Sequence, residues 1–461
     1  MKVVRMPNTF DLLVTNGTLV IPECGEIQAE LGITGGKIAA ISQPGSISSA
    51  ARVIDASNNY ILPGFVDPHI HFGNRRPIME EMVETKSAIA GGITTVGAYI
   101  RNREGSYFDS FPEALAAVEK LAHTDVMFHF QIFLDHQLEE LRRYARELGV
   151  TSFKFFMYGA PNISRSVDDA FLLRAFRIIA GLGYPAIGCV HAENEALVTQ
   201  ATAEVMGRPH ADTLEEWETT HPAIAEEEAV ARAALLAEAA QSRLYIVHLS
   251  SKGSVARLRE IRDRYREVNV EVTSLHLSLT MHHERGLYLK RQPPHRDTTH
   301  LEALWQGVQD GIIDTFGTDN ITSLQSMNQP EKGLAGARAG FPSLATHVPV
   351  LLTEGYHRRG IPLQAMVQRG SMLPAQIFGV YPRKGTLMVG SDADVVIVDL
   401  QNFAPVTIDR LHSWGDHTPY EGQILTGWPI VTIKGGDVAF ENNCIMSGDG
   451  SGSYLARNVS T

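Results

Sequence analysis

The stretch Tyr60-Ile61-Leu62-Pro63-Gly64-Phe65-Val66-Asp67-Pro68-His69-Ile70-His71 decides how the rest of the chain is interpreted. Its apolar part, residues 61–66, predicts a short buried strand. Because side chains alternate across a strand, His69 and His71 project to the same side of its end. Two imidazoles that project together form half of a metal site. A His-x-His motif without further ligands is, however, more often structural. The metal interpretation therefore depends on further ligand-type residues downstream.

Seven more short apolar segments follow, and several of them are separated by longer segments with helical patterns. This alternation indicates parallel strands, and eight strands is the number of a closed (β/α)8 barrel. An open doubly wound sheet is the alternative, but no glycine-rich dinucleotide fingerprint follows the first strand. The predicted strands are 61–66, 94–100, 125–134, 152–157, 186–190, 244–247, 268–273 and 312–316, and the predicted helices are 110–122, 137–148, 168–182, 226–240 and 254–266.

The two ends of the chain have a different pattern, with short alternating runs and turn residues. Asn16-Gly17 and Gly35-Gly36 are hairpin signals within residues 9–56, and residues 386–442 repeat the pattern. We expect both ends to combine into one small β-sandwich, which makes the whole an α/β protein with a TIM-like (β/α)8 barrel. The predicted bounds are 1–56 and 381–445 for the two parts of the sandwich, 57–380 for the barrel, and 446–461 for a Gly/Ser-rich flexible tail that is either disordered or packed on a neighbouring subunit.

The composition is that of a globular enzyme. Hydrophobic residues make up 44% and charged residues 20% of 461 positions, and the net charge of −12 argues against nucleic acid as a partner. The three cysteines, Cys24, Cys189 and Cys444, form no disulfide framework and fit a reducing compartment. We find neither a signal-length apolar stretch at the N-terminus nor a run of about 18 apolar residues. We therefore expect a cytoplasmic protein without a membrane partner.

Further ligand-type residues lie at the C-terminal ends of the predicted strands, where barrel enzymes place their chemistry. They are Lys154, His191, His248 and Asp319. Lys154 lies between phenylalanines in a predicted buried strand, where an unpaired ammonium group is costly, so it needs a modification or a core carboxylate as a partner. Each residue alone is more often structural. Together with the two histidines of the first strand, they predict a metal centre.

These residues and the motifs around them resemble the amidohydrolase superfamily, and within it the branch of hydantoinases, dihydropyrimidinases and allantoinases. The resemblance covers essentially the whole chain. It is carried by residues 63–71, 91–95, 153–157, 191–194, 247–250, 304–311, 317–319 and 390–394.

The resemblance implies two divalent metal ions, usually zinc, and a lysine converted by CO₂ to a carbamate. The implied ligands are His69, His71 and Asp319 for one metal, His191 and His248 for the other, and carboxylated Lys154 as the bridge. It also implies hydrolysis of a cyclic amide C–N bond, in which metal-bound hydroxide attacks the carbonyl and Asp319 carries the proton to the leaving nitrogen. A homodimer or homotetramer is the implied assembly.

Three features depart from the pattern of this branch. Family members often carry, five residues after the lysine, a tyrosine that donates to the oxyanion. Here Tyr158 lies four residues after Lys154, so it is either that donor, displaced by a local deletion, or a packed aromatic residue. Asn320 replaces the usual histidine after the aspartate, and Gln292 replaces a serine before a Pro-Pro pair. Residues 159–162 form a loop directly after Tyr158, and this loop is placed to reshape the part of the pocket that contacts the substrate ring.

A second histidine-rich stretch, His282-His283-Glu284 with His295 and His300, has irregular loop spacing. We interpret these residues as exposed or supporting histidines instead of a further metal site.

We expect a hydrolase of hydantoin-like or dihydropyrimidine-like rings with weak activity on unsubstituted hydantoin and dihydrouracil. The alternatives are an allantoinase, a hydrolase of another cyclic imide or linear amide, and a non-catalytic scaffold, which the retention of all six ligand-type residues disfavours.

Overall fold

The computed structural model describes residues 9–159 and 165–459. The chain begins with seven short strands: β1 (Phe10–Thr15), β2 (Thr18–Ile21), β3 (Gly25–Gln28), β4 (Glu30–Thr34), β5 (Lys37–Ser42), β6 (Ala50–Asp55) and β7 (Tyr60–Pro63). Gly35-Gly36 joins β4 and β5 as an antiparallel hairpin, which confirms that signal. The hairpin signal at Asn16-Gly17 is wrong: β1 pairs with β4 and β2 with β3, so this turn leads from one sheet to another.

Eight parallel strands form the barrel and are hydrogen-bonded in chain order. Asp319 N donates to His69 O (2.7 Å) and His71 N donates to Asn320 O (2.9 Å), which joins the last strand to the first. The barrel prediction is therefore confirmed, and the open sheet is wrong. The strands are β8 (Phe65–His71), β9 (Ile93–Arg101), β10 (Asp125–Gln131), β11 (Ser152–Phe156), β12 (Ile187–His191), β13 (Leu244–Ile246), β14 (Val268–Thr273) and β15 (Thr315–Gly317).

The first predicted strand, residues 61–66, is two strands in the structure. The chain passes from β7, in a sheet of the small domain, to β8, in the barrel, at Gly64. A Cβ atom at this position would lie 2.2 Å from Thr94 Oγ1, so only glycine fits between the two sheets. The predicted barrel bounds of 57–380 thus include one strand that pairs outside the barrel.

Helices connect the barrel strands, and each of the five predicted helices occurs within a few residues of its expected bounds. Side chains of Ser106, Asp168 and Ser251 cap the N-termini of three of them by accepting hydrogen bonds from the first turn. No described helix is long and apolar enough to cross a membrane. The α-helices of the described residues are α1 (Ile78–Glu81), α2 (Thr85–Ala90), α3 (Tyr107–Leu121), α4 (Asp135–Glu147), α5 (Asp169–Ala180), α6 (Glu195–Met206), α7 (Leu214–Thr220), α8 (Ala223–Ala240), α9 (Lys252–Arg264), α10 (Thr298–Gln309), α11 (Gln325–Asn328), α12 (Gly333–Gly336), α13 (Leu344–Leu351), α14 (Leu363–Val367) and α15 (Leu373–Ile377).

The C-terminal strands complete a small β domain with the N-terminal ones. One sheet has the order β5-β4-β1-β6, and a seven-stranded sheet ends with β7-β2-β3. In that larger sheet the first C-terminal strand pairs with β7, so both ends of the chain contribute, as predicted. Apolar side chains such as Leu31, Ile61 and Val395 form a buried core of this domain. The C-terminal strands are β16 (Val395–Val398), β17 (Ala404–Pro405), β18 (Ile424–Leu425), β19 (Pro429–Lys434), β20 (Asp437–Glu441) and β21 (Cys444–Ile445).

The predicted flexible tail requires a correction, because residues 446–459 pack against the N-terminal end of the barrel. Gly452 N donates to Ala122 O (2.7 Å), next to the start of β10. Arg457 is 1% exposed, and its guanidinium donates to Ser152 Oγ (2.8 Å) at the start of β11. The segment is held by backbone hydrogen bonds and a buried cation, which a Gly/Ser-rich composition does not reveal.

Candidate metal centre

All six predicted ligand residues lie at the C-terminal end of the barrel. Five of them line one pocket, and His69 lies fully buried behind it. The volume of this pocket, its mouth included, is about 800 Å³. The lining ligand-type residues are His71, Lys154, His191, His248 and Asp319.

His69, His71 and Asp319 form the first group of converging ligand atoms. Asp319 Oδ1 lies 3.0 Å from His71 Nε2 and 3.3 Å from His69 Nε2. Each of the three residues offers a ligand atom within 4.8 Å of the other two. His69 Nε2 is buried and has no hydrogen-bond partner among the described residues, which is costly for a polar atom. A divalent cation would satisfy it, so the residues present fit a metal.

His191 and His248 form the second group. His191 Nδ1 lies 3.1 Å from His248 Nε2, and the other nitrogen of His191 lies 2.6 Å from Glu193 Oε2. Glu193 accepts a hydrogen bond from the N–H group at that nitrogen, so the proton of the neutral ring lies on Nε2. Nδ1 of His191 therefore keeps a lone pair with which it can bind a metal. Burial and nearby Lys154 hold the pKa of His248 well below its usual value, so its ring is neutral, as a metal ligand must be.

Lys154 lies on β11, and its partner in the register of the neighbouring strand β12 is Cys189, two residues before His191. The residue is 1% exposed, and its Nζ lies 5.1 Å from the ring centre of Tyr99 and 5.2 Å from that of Phe156. Burial lowers the pKa of Lys154 to about 8. About a tenth of the amine is therefore neutral and nucleophilic at pH 7, far more than for an ordinary lysine.

Glu271 was not predicted from the sequence, although it supports the centre directly. Its Oε1 lies 2.8 Å from His69 Nδ1 and accepts a hydrogen bond from His248 N (3.1 Å). Its Oε2 accepts a hydrogen bond from Tyr245 Oη (3.0 Å). The available signal was a glutamate between two valines in the predicted strand 268–273, the same kind of signal that identified Lys154.

Asp67 holds the two strand ends that carry His69 and Asp319 together. Its Oδ1 accepts from His69 N (3.0 Å) and Thr318 N (3.1 Å), and its Oδ2 accepts from Thr318 Oγ1 (2.6 Å). Burial raises the pKa of Asp67 to about 8. The residue therefore fixes the backbone around the ligands and does not itself face the pocket.

Arg291 is a second supporting residue that the sequence did not predict. Its Nη2 donates to Asp319 Oδ2 (2.8 Å) and its Nη1 to Thr273 Oγ1 (3.3 Å). Burial alone would raise the pKa of Asp319, but His69, the neighbouring His71 and Arg291 together hold it well below its usual range. The position lies in the irregular segment between β14 and α10, where periodicity gives no information about which side chains face the barrel.

Two of the three departures from the family pattern lie at the pocket. Tyr158 and Gln292 both line it. Burial raises the pKa of the Tyr158 hydroxyl, and nearby Gln292 partly offsets this shift. Gln292 Nε2 also lies 2.8 Å from His221 Nε2. Asn320 does not line the pocket. Its Oδ1 accepts a hydrogen bond from Ser343 N (2.9 Å) and so ties the segment after β15 to the start of α13. Residues 160–162 of the predicted loop lie outside the described residues.

The second histidine-rich stretch forms no comparable centre. Exposed His282 lies 3.0 Å from Glu215, and His300 Nδ1 accepts from Lys252 N (3.1 Å). His295 is buried beside another histidine ring. Among residues 9–159 and 165–459, the first group is the one cluster of three or more histidine, cysteine or acidic residues that could hold a metal.

Comparison with known proteins agrees with this geometry. The model of the amidohydrolase family matches residues 60–439. An L-hydantoinase of Paenarthrobacter aurescens is 32% identical over 97% of this chain and 98% of its own. An allantoinase of Rubrobacter xylanophilus is 32% identical over 96% of each chain. The crystal structure of a dihydropyrimidinase from Brevibacillus agri superposes with a TM-score of 0.90 at 29% identity, covering 97% of this chain and 99% of that one. The chain therefore belongs to the amidohydrolase family.

Proposed function

We propose that this chain is a metal-dependent hydrolase of cyclic amide C–N bonds, acting on hydantoin-like or dihydropyrimidine-like rings. The observation that carries the proposal is the convergence of His69, His71 and Asp319 at one pocket. The lining of this pocket also contains Lys154, His191 and His248. The similarity to an L-hydantoinase and a dihydropyrimidinase supports the ring amide as the substrate class.

The residues fit two divalent cations, and the imidazole and carboxylate donors match the preferences of zinc. The first group would hold one cation, and His191 with His248 would hold the other. Neutral Lys154 would attack CO₂, forming a C–N bond and losing a proton to solvent, and the resulting carbamate would supply anionic oxygen ligands to the metal centre. When bound, such a pair supplies Lewis-acid chemistry by acidifying a water molecule and polarising a carbonyl group.

Asp319 is the proposed proton carrier. It would take a proton from the attacking water and deliver it to the ring nitrogen as the C–N bond breaks. The bonds of its two oxygens fix its orientation, because Oδ1 faces His71 and Oδ2 accepts from Arg291. Tyr158, which lines the pocket together with Gln292, is the proposed donor to the carbonyl oxygen, where negative charge develops.

Two further proposals follow the family, and one alternative is disfavoured. A homodimer or homotetramer is the proposed assembly, which light scattering of the purified protein would test. An allantoinase is the second candidate, supported by the similarity to the allantoinase of Rubrobacter xylanophilus. A non-catalytic scaffold is disfavoured because it would not need six ligand-type residues at one end of the barrel.

Metal analysis combined with a hydrolysis screen tests the proposed function. We expect about two metals per chain, extra mass of one CO₂ on Lys154, and hydrolysis of at least one ring among hydantoin, dihydrouracil, allantoin, dihydroorotate and phthalimide. Lys154→Ala should lose metal and regain part of it with small carboxylic acids, whereas exposed Lys252→Ala should not. A metal-loaded protein that opens none of these rings would contradict the proposal.

A further inference from the structure

Two arginines give the pocket a positive lining that a neutral ring does not require. Arg101 and Arg291 both line the pocket, and Asp319 is the one carboxylate that lines it among the described residues. The whole chain carries a net charge of −12, so the positive lining is a local feature. Lys154 does not contribute to it once carboxylated.

Arg291 has hydrogen-bond capacity that the protein does not use. A guanidinium offers five N–H donors, and the structure gives two of them acceptors, Asp319 and Thr273. The Nε of Arg291 is buried and has no partner among the described residues, and the side chain is 5% exposed. A buried charged donor without an acceptor is unfavourable, so a ligand acceptor at this position would be bound strongly.

Holding Asp319 is the simpler role for Arg291, but it leaves two observations unexplained. It accounts for one of the five donors and gives no reason for a second arginine on the same pocket. Arg101 lies at the end of β9, beside Gln131 on β10, and is thus carried by a different part of the barrel. The buried carboxylates nearby already have partners. Glu271 lies 2.8 Å from His69 Nδ1, and Glu193 lies 2.6 Å from His191 Nε2. Glu81, which acts on Arg101, accepts hydrogen bonds from the backbone N–H groups of residues 74–76.

We propose that the substrate ring carries a carboxylate substituent, which Arg291 binds with the assistance of Arg101. The inference rests on the proposed function and narrows its substrate class. A guanidinium matches the planar geometry of a carboxylate, whereas a neutral group of the same size leaves its donors partly unpaired. Leu275 and Phe341 supply apolar walls for the rest of the molecule.

Matched pairs of rings test this inference with the metal-loaded enzyme. Hydantoin-5-acetic acid is compared with its primary amide, and dihydroorotate with dihydroorotamide, so that each pair differs in the carboxylate alone. We expect kcat/KM to favour the carboxylate by about 100-fold or more in at least one pair. Arg291→Met should reduce this ratio to nearly one, and Arg291→Lys should retain an intermediate ratio. Surface variant Arg174→Met, which also removes one positive charge, should keep the wild-type ratio.

The ratio separates recognition of the carboxylate from support of Asp319. A loss of support lowers kcat/KM equally for both members of a pair, so an unchanged ratio in Arg291→Met would overturn the inference. Arg101→Met should lower the ratio several-fold, and this result decides the matter if Arg291→Met fails to fold. If the wild type hydrolyses the rings but its kcat/KM is about equal for the carboxylate and the amide of each pair, this inference is overturned and the proposed function is not. Failure to hydrolyse any ring would overturn the proposed function itself.

Discussion

Glu271 Oε1 lies 2.8 Å from His69 Nδ1, and both side chains are fully buried. The carboxylate binds one nitrogen of the imidazole, so the other nitrogen is directed at Asp319, 3.3 Å away. A bond of this kind fixes the tautomer of a ligand histidine and raises its basicity. The geometry of the first ligand group therefore depends on a residue from β14. This strand is the neighbour of β15, the last barrel strand, whereas His69 and His71 lie on the first barrel strand, β8.

Replacing this carboxylate should weaken metal binding. Glu271→Gln keeps the size of the side chain but removes the charge, and we expect metal affinity to fall by about 10–100-fold. Competition with a chelator measures the change. Glu267→Gln, on the exposed side of the same region, should leave the affinity unchanged. Full metal retention in Glu271→Gln would mean that the residue serves packing alone.

Asp319→Asn should remove proton transfer while preserving much of the shape of the pocket. An amide cannot accept the proton of the attacking water, so we expect kcat to fall by about 10³-fold or more. The measurement compares kcat at matched metal content, which separates proton transfer from metal loss. Exposed Asp263→Asn is the control. Near-normal turnover in a metal-loaded Asp319→Asn enzyme would require a different base.

The sequence predicted the features that depend on local pattern and on recognisable motifs. Every barrel strand follows from a short apolar run, and His69 and His71 follow from the alternation of one strand. The boundary between β7 and β8 at Gly64 was not predicted, because the apolar run contains no sequence signal that shows where the chain passes from one sheet to the other. The packing of residues 446–459 was missed because buried Arg457 finds its acceptors on distant strands.

The two missed site residues show the same limit. Glu271 carried a local signal, a carboxylate within an apolar strand, and the reasoning applied to Lys154 would have found it. Arg291 carried none, because the segment between β14 and α10 has neither helical nor strand periodicity. Its contact with Asp319 arises from how that segment folds over the barrel, which spacing alone cannot predict.

A charge cluster at the base of the barrel should make stability depend on acid pH. Lys384 Nζ lies 3.0 Å from Asp392, which also binds Lys37 and Arg383. Burial opposes ionisation of Asp392, but these three cations lower its pKa from 3.8 to about 2. Because the pKa is lower in the folded state, the stabilisation is complete above about pH 4 and disappears as the pH falls towards 2.

Asp392→Asn should therefore destabilise the protein at pH 7 by about 1–2 kcal/mol. The difference from the wild type should shrink as the pH is lowered from 4 to 2. Urea unfolding at several pH values measures it, and exposed Asp409→Asn should follow the wild-type curve. A difference that stays constant across this pH range would show that ionisation of Asp392 is not its cause.

The C-terminal segment should contribute to stability through Arg457. Arg457→Met removes the bond to Ser152 Oγ and leaves buried acceptors unpaired, so we expect a loss of about 2–4 kcal/mol. Thermal unfolding measures this loss. Asn458→Ala changes the exposed neighbour and should have little effect. An equal loss in both variants would mean that the segment acts as a whole and that the buried cation has no special role.

Gln292 should restrict the range of rings that the pocket accepts. Its Nε2 lies 2.8 Å from His221 Nε2, and its side chain lines the pocket together with Tyr158, at the position where the family pattern has a serine. We expect the wild type to open unsubstituted hydantoin and dihydrouracil with kcat/KM below about 10⁴ M⁻¹s⁻¹. Gln292→Ser should raise these values by about 10-fold, because the space and the Tyr158 hydroxyl become available to a small ring.

Asn320→His is the matched control for Gln292→Ser, since it restores another residue typical of the branch at a position that does not line the pocket. This variant should lose the bond to Ser343 and thus some stability, but its preference among rings should not change. Kinetics on the same set of rings, at equal metal content, compares the two variants. Efficient turnover of plain hydantoin by the wild type would show that the departure at Gln292 has no effect on substrate choice. An equal gain in both variants would locate the restriction in the backbone around the metals instead of the pocket edge.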